Sequence, residues 1–184
     1  KKVITGITGL ALFGFVIVHL IGNLTLLLGP GAFNGYAHFL ESALHGWLIY
    51  TFEAGIIAIF LFHIASTFTV AWTDRRAARQ EGYRYTRNAG GKSRKTFSST
   101  TMIYTGALLL LFVIYHIKVF KYGAHEMVMV GGVEMKNLFK TVLLEFKKLW
   151  FVIVTVGMMI LLGFHLRHGV WSAFQSMGWN SDRH

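Results

Sequence analysis

Four stretches of this chain stay apolar long enough to cross a bilayer, and polar or charged segments separate them. A hydrocarbon core about 30 Å thick needs roughly 20 helical residues. Residues 3–28, 47–72, 101–120 and 149–174 reach that length, and no fifth stretch of comparable length is present. The first closes on "GPG" at 29–31, and the third opens after "SST" at 98–100, hydroxyl residues suited to an N-cap. All five tryptophans, Trp47, Trp72, Trp150, Trp171 and Trp179, fall at or beyond the ends of these stretches. That is the aromatic belt of headgroup depth. The predicted fold is an all-α membrane protein, a transmembrane four-helix bundle.

The chain opens on Lys1 rather than methionine, so further residues are expected upstream. A signal peptide would carry an apolar run of only ~7–15 residues and a small-residue cleavage site, so 3–28 reads as a span. "EMKNLFKTVLLEFKK" has helical spacing, with Leu138, Val142 and Leu149 on one stripe. It either extends the fourth span or forms a short amphipathic turn at the interface. No internal repeat or low-complexity tract stands out.

Composition agrees with this reading. Residues are 54% hydrophobic and only 14% charged, where soluble domains carry about 25% charged. The absence of cysteine excludes disulfides, zinc–thiolate sites and iron–sulfur ligation by this chain. The net charge of +10 raises nucleic acid as a partner. The basic residues, however, gather in one loop: Arg75, Arg76, Arg79, Arg84, Arg87, Lys92, Arg94 and Lys95. Residues 29–46 hold no lysine or arginine. The positive-inside rule then places the 75–95 loop in the cytoplasm and the 29–46 loop outside. Lys1 and Lys2 agree with a cytoplasmic N-terminus. Residues 121–148, of mixed charge, fall outside, and the C-terminus falls inside.

Histidines carry the candidate chemistry. His38, His45, His125 and His184 lie in loops or at an end, whereas His19, His63, His116, His165 and His168 lie in or at the edge of spans. Any one of these, such as His116 in "LLFVIYHIKVF", is most simply satisfied by a backbone carbonyl or a neighbouring side chain. The set says more, because each span carries one deep histidine. His19 and His116 lie about 23 Å from the inner surface and His63 and His165 about 13 Å, at 1.5 Å per residue. The four form two pairs about 10 Å apart along the normal. Two imidazoles at one depth on separate helices is the geometry of bis-histidine haem ligation. Gly14, Gly22 and Gly163 would admit a macrocycle or, equally, close helix packing. Met158 and Met159 read as lipid-facing or core residues rather than ligands. A proton relay could use the same histidines but needs no matched depths. Glu53, early in the second span, is a carboxylate in the outer leaflet; its plainer role is an ion pair with Lys118 or Lys121.

"FVIVHLIGN", "FNGYAHFLES", "FLFHIAST", "FVIYHIKVF" and "LLGFHLRHGVWSAFQSMG" resemble the dihaem cytochrome b membrane anchor of succinate:quinone oxidoreductases. The likeness is to the single-polypeptide kind of bacterial succinate dehydrogenases and fumarate reductases, and it covers nearly the whole chain. It implies two haem b groups, an outer one held by His19 and His116 and an inner one held by His63 and His165. His168 would be a neighbour rather than a ligand. Succinate chemistry would belong to a flavoprotein with covalent FAD and an iron–sulfur protein on the cytoplasmic side. The 75–95 loop would be their dock, or simply a solvated basic loop.

This chain would pass electrons between the clusters and a membrane quinone, with menaquinone expected, in the bacterial cytoplasmic membrane. The resemblance also implies that the complex associates in pairs or threes. It makes Glu41, after "AHF", the proton donor and acceptor of an outer quinone site, with Glu53 a second candidate and His38 and His45 as relays or propionate contacts. Two departures stand out. Gly163 replaces a glutamate that some members use for transmembrane proton movement, and the family's usual fifth helix does not follow "SMG". The alternatives are a dihaem anchor of another dehydrogenase, such as a hydrogenase or formate dehydrogenase, and a haem-free proton or ion transporter.

Overall fold

Helices account for most of the chain because apolar runs in a lipid solvent must satisfy their backbone groups internally. The computed structural model describes residues 1–74 and 97–179. Helix α1 spans Lys2–Leu24 and runs on through a tight turn, Thr25–Leu28. Helix α2 spans Pro30–Ser42, α3 Trp47–Phe68 with a wider final turn at Thr69–Asp74, and α4 Phe97–Phe120. A hairpin of β1 (Met127–Val130) and β2 (Val133–Lys136) follows, then α5 (Leu138–Phe146) and α6 (Leu149–Ser176). Among the described residues, four helical segments are long and apolar enough to cross a membrane, and they contain α1, α3, α4 and α6.

Helix α1 packs on both α3 and α6, and α6 packs on α4. The α1–α6 crossing is close because both helices are small there. A Cβ on Gly6 would come within 3.3 Å of the Ala173 Cα. Burial runs opposite to that of a water-soluble bundle. Ile17, Leu20, Ile57, Leu61, Leu111 and Ile160 point outward. Among the described residues the buried set is small and mixed: Asn34, Ser98 and Thr105 beside Phe151, Ala173 and Met135. Lipid accepts the apolar exterior, so close packing and interhelical hydrogen bonds, rather than hydrophobic burial, hold these helices together.

At the end of the bundle formed by the C-termini of α1 and α4, a cap replaces the loops expected from sequence. Residues 29–46 are not a simple loop: Pro30 starts α2 at a position where its missing N–H costs nothing. Leu44, His45 and Gly46 then turn the chain through left-handed backbone, with φ of 51°, 55° and 85°. The hairpin pairs Met127 with Lys136 and Val130 with Val133 across Gly131–Gly132, both at positive φ as a two-residue turn requires. Helix α5 is separate from α6, since Lys148 is extended (ψ 111°) and interrupts the helix. The "EMKNLFKTVLLEFKK" segment is therefore a strand and a short amphipathic helix, not an extension of the fourth span.

Asn34 ties the cap together. Its Oδ1 accepts from the Phe139 N–H at 2.9 Å, and its Nδ2 donates to Asn137 Oδ1 at 3.2 Å. Asn137 also caps α5 by accepting from the Lys140 N–H at 3.1 Å. At the rim, Lys136 pairs with Glu41 at 2.8 Å and Lys140 with Glu126 at 2.7 Å. The basic loop at 75–95 and His184 lie outside the described residues.

Candidate functional site

Two threonine–glycine pairs, one on α1 and one on α4, each meet a histidine of a neighbouring helix. Thr8 Oγ1 lies 3.2 Å from His63 Nδ1, and Thr105 Oγ1 lies 3.0 Å from His165 Nδ1. Each hydroxyl has one proton and a backbone carbonyl ready to take it. Thr8 donates to Ile4 O at 2.8 Å, and Thr105 to Met102 O at 3.0 Å. With that proton given to the carbonyl, the hydroxyl oxygen is the acceptor for Nδ1–H. That hydrogen-bond network assigns the Nδ1–H tautomer to both rings and leaves each Nε2 as the basic, metal-binding nitrogen.

The glycine beside each threonine makes room for the ring. A Cβ on Gly9 would stand 3.2 Å from His63 Cε1, and one on Gly106 3.5 Å from His165 Cε1. His63 and His165 stand at one level, because Thr8 and Thr105 each lie eleven residues before the facing His19 and His116.

Eleven residues beyond Thr8 comes His19, and eleven beyond Thr105 comes His116. Three helical turns take about 10.8 residues, so each histidine lies on the face of its helix that carries the threonine. The His19 and His116 ring centroids are 5.9 Å apart with planes at 85°. Phe15 stacks on His19 at 5.6 Å, and Phe120 and Phe112 flank His116 at 5.0 and 6.0 Å.

The two levels are therefore about 16 Å apart along the helix axes, at 1.5 Å per residue. The sequence estimate of about 10 Å took its depths from assumed span ends. Helix α4 in fact starts at Phe97, and α3 runs on to Asp74.

The shared spacing also exposes a repeat that the sequence reading did not find. "TGLALFGFVIVH" from Thr8 and "TGALLLLFVIYH" from Thr105 agree at seven of twelve positions. The partner helices share a shorter echo, Phe62–His63 and Phe164–His165.

An iron taking one imidazole nitrogen from each side at roughly 2 Å sets the ring centres about 6 Å apart. The 5.9 Å separation of His19 and His116 fits that demand. Among the described residues, no three His, Asp or Glu side chains gather as a metal site. Two protein nitrogens per metal suit an iron whose remaining donors come from a macrocycle. The bare Nε2 atoms of His63 and His165 suit the same group. The residues fit haem.

The other candidates divide. Gly22 serves packing, because a Cβ there would stand 2.7 Å from the Tyr36 ring. Gly14 has no neighbour within 4 Å of its Cβ position. Gly163 faces an outer groove with Ile160, Phe164 and Arg167, away from the histidine pairs. Met158 lines a cleft between α4 and α6, and Met159 is exposed. Glu53 forms an ion pair with Lys121, the plainer of its two expected roles. Glu41 pairs with Lys136 on the cap rim. His38 sits in α2 and His45 in the left-handed corner. His168 lies one turn from His165 on α6. Sequence reasoning missed Thr8 and Thr105, which the eleven-residue offset to a histidine could have flagged.

A second polar run leads into the His63 level. Thr5 Oγ1 donates to Ser66 Oγ at 2.9 Å, and Ser66 donates to the His63 carbonyl at 3.1 Å. Comparison with protein-family models, with curated proteins and with solved structures finds no match to this chain.

Proposed function

We propose that this chain is the dihaem cytochrome b anchor of a succinate dehydrogenase or fumarate reductase complex. Its place is the bacterial cytoplasmic membrane, between an iron–sulfur partner and a membrane quinone, with menaquinone expected. The observation that carries the reading is the pair of imidazole levels, with His19 facing His116 across 5.9 Å. His63 and His165 form the second level, both with Nδ1 engaged. The dehydrogenase identity rests on the motif resemblance; the levels support two bis-histidine iron sites.

Bound at each level, haem would supply a one-electron centre. The chain's own side chains do the rest. His19 and His116 would hold the outer group, and His63 and His165 the inner. Phe15 packs against the His19 ring, and Phe112 and Phe120 against the His116 ring. Thr8 and Thr105 orient the inner rings. With the 75–95 loop taken as cytoplasmic, the threonine level lies toward that face and its iron–sulfur partner. The cap then lies outside, where Glu41 is the proton donor and acceptor proposed for a quinone. Lys136 holds that carboxylate in place until it is needed.

A dithionite-reduced minus oxidised spectrum, with haem quantified per polypeptide, tests the reading. Two low-spin b-type haems per chain are expected, and none would reject it. The imidazole–hydroxyl contacts of His63 with Thr8 and of His165 with Thr105 also suit a second reading, a haem-free proton path. A colourless protein would favour that alternative.

A further inference from the structure

The two histidine levels differ in what holds the side of the ring away from the metal. His63 and His165 each meet a threonine hydroxyl. Among the described residues, no group hydrogen-bonds either ring nitrogen of His19 or His116, whose rings contact aromatic side chains instead. We infer that Thr8 and Thr105 are paired positioning residues that set the tautomer of the inner histidines and depress the reduction potential of the group held between them. The inference rests on the haem reading above.

The physical chain is short. Nδ1–H donates to Oγ1, and the hydroxyl proton donates onward to a main-chain carbonyl one turn back. Two bonds in series polarise each other, more so in apolar surroundings. Donation from Nδ1–H makes Nε2 a more basic ligand, which stabilises the oxidised, more positive metal. Both residues of the level are treated alike, so the effects add on one iron. Gly9 leaves room for the His63 ring beside the backbone of α1. Thr105 is itself buried, which shields its bond from water.

Redox titration of the full complex separates the two levels. Thr8→Val and Thr105→Val, singly and together, should raise the potential of the inner haem and leave the outer unchanged. Thr105→Ser should restore the original value, because serine keeps the oxygen. Loss of the inner haem alone in the valine variants, with serine restoring it, supports the same role. An unmoved inner potential at full haem content overturns the inference, as does an equal shift of both haems.

Nitrogen-15 spectra of the histidines in haem-free chain give a readout that does not need haem. His63 and His165 should be Nδ1–H tautomers, and the valine variants should lose that preference. If the unsubstituted protein proves to hold no haem, the haem reading fails and the inferred control of its potential falls with it. The nitrogen spectra would still decide the tautomer half, which unchanged tautomers in the valine variants would overturn.

Discussion

Asn34→Ala should open the cap while leaving the long helices in place. Asn34 is 1% exposed and bridges α2 to the start of α5. Alanine would remove two hydrogen bonds of unequal consequence. Asn137 Oδ1 would keep its bond from the Lys140 N–H, so it loses only an ordinary interaction of about 1 kcal/mol. The part-buried Phe139 N–H would lose its acceptor, at a cost of roughly 1–3 kcal/mol.

The sum, about 2–4 kcal/mol, corresponds to a roughly 30- to 1,000-fold rise in local opening. Hydrogen exchange in detergent measures it directly: amides of α5 and the hairpin should lose protection by that factor. Amides in the middle of α1 and α6 should not change. Unaltered protection of α5 would refute the account of Asn34. Equal loss in α1 and α6 would show that the cap is not a separate unit.

His116→Ala should lower the haem content from two per chain to one, sparing the inner haem; unchanged content would break the proposed pairing. Gly6→Leu should force α1 away from Ala173 and cost about 1–3 kcal/mol by overpacking, read from thermal unfolding in detergent. Glu41→Gln should change stability by less than about 1 kcal/mol, since its pair with Lys136 is exposed. The same variant should slow quinone-linked turnover on the order of 100-fold if the carboxylate moves protons, and wild-type turnover would remove Glu41 from the mechanism.

The four long helices were legible because a run of about 20 apolar residues has few other uses. The deep histidines were legible for the same reason, as costly exceptions within those runs. Depth was not, because it depends on where each helix starts and stops, and Phe97 begins α4 four residues before the expected boundary at 101. The cap was hidden in segments read only for their charge. "GPGAFNGYAHFLES" carries a proline helix start, and "MVMVGGVEMK" alternates about a Gly–Gly turn, signals too short to stand out beside the four spans. Thr8 and Thr105 were hidden by chemistry: a threonine in a span looks like a helix residue bonded to its own backbone. Only the arrival of a ring from another helix gives its oxygen a second task.

The twice-written Thr–Gly segment has a consequence for descent. Helices α1 and α4 run in the same direction, from threonine to histidine, and α3 and α6 each answer with a Phe–His. Each level takes one histidine from the first half of the chain and one from the second. No half alone could complete either site. Two copies of one half, related by a two-fold axis along the bundle, would complete both, each site lying on that axis. The chain has the form of such a homodimer fused end to end. The unlike parts stand outside that pairing: α2 after the first helix, and the hairpin with α5 after its counterpart.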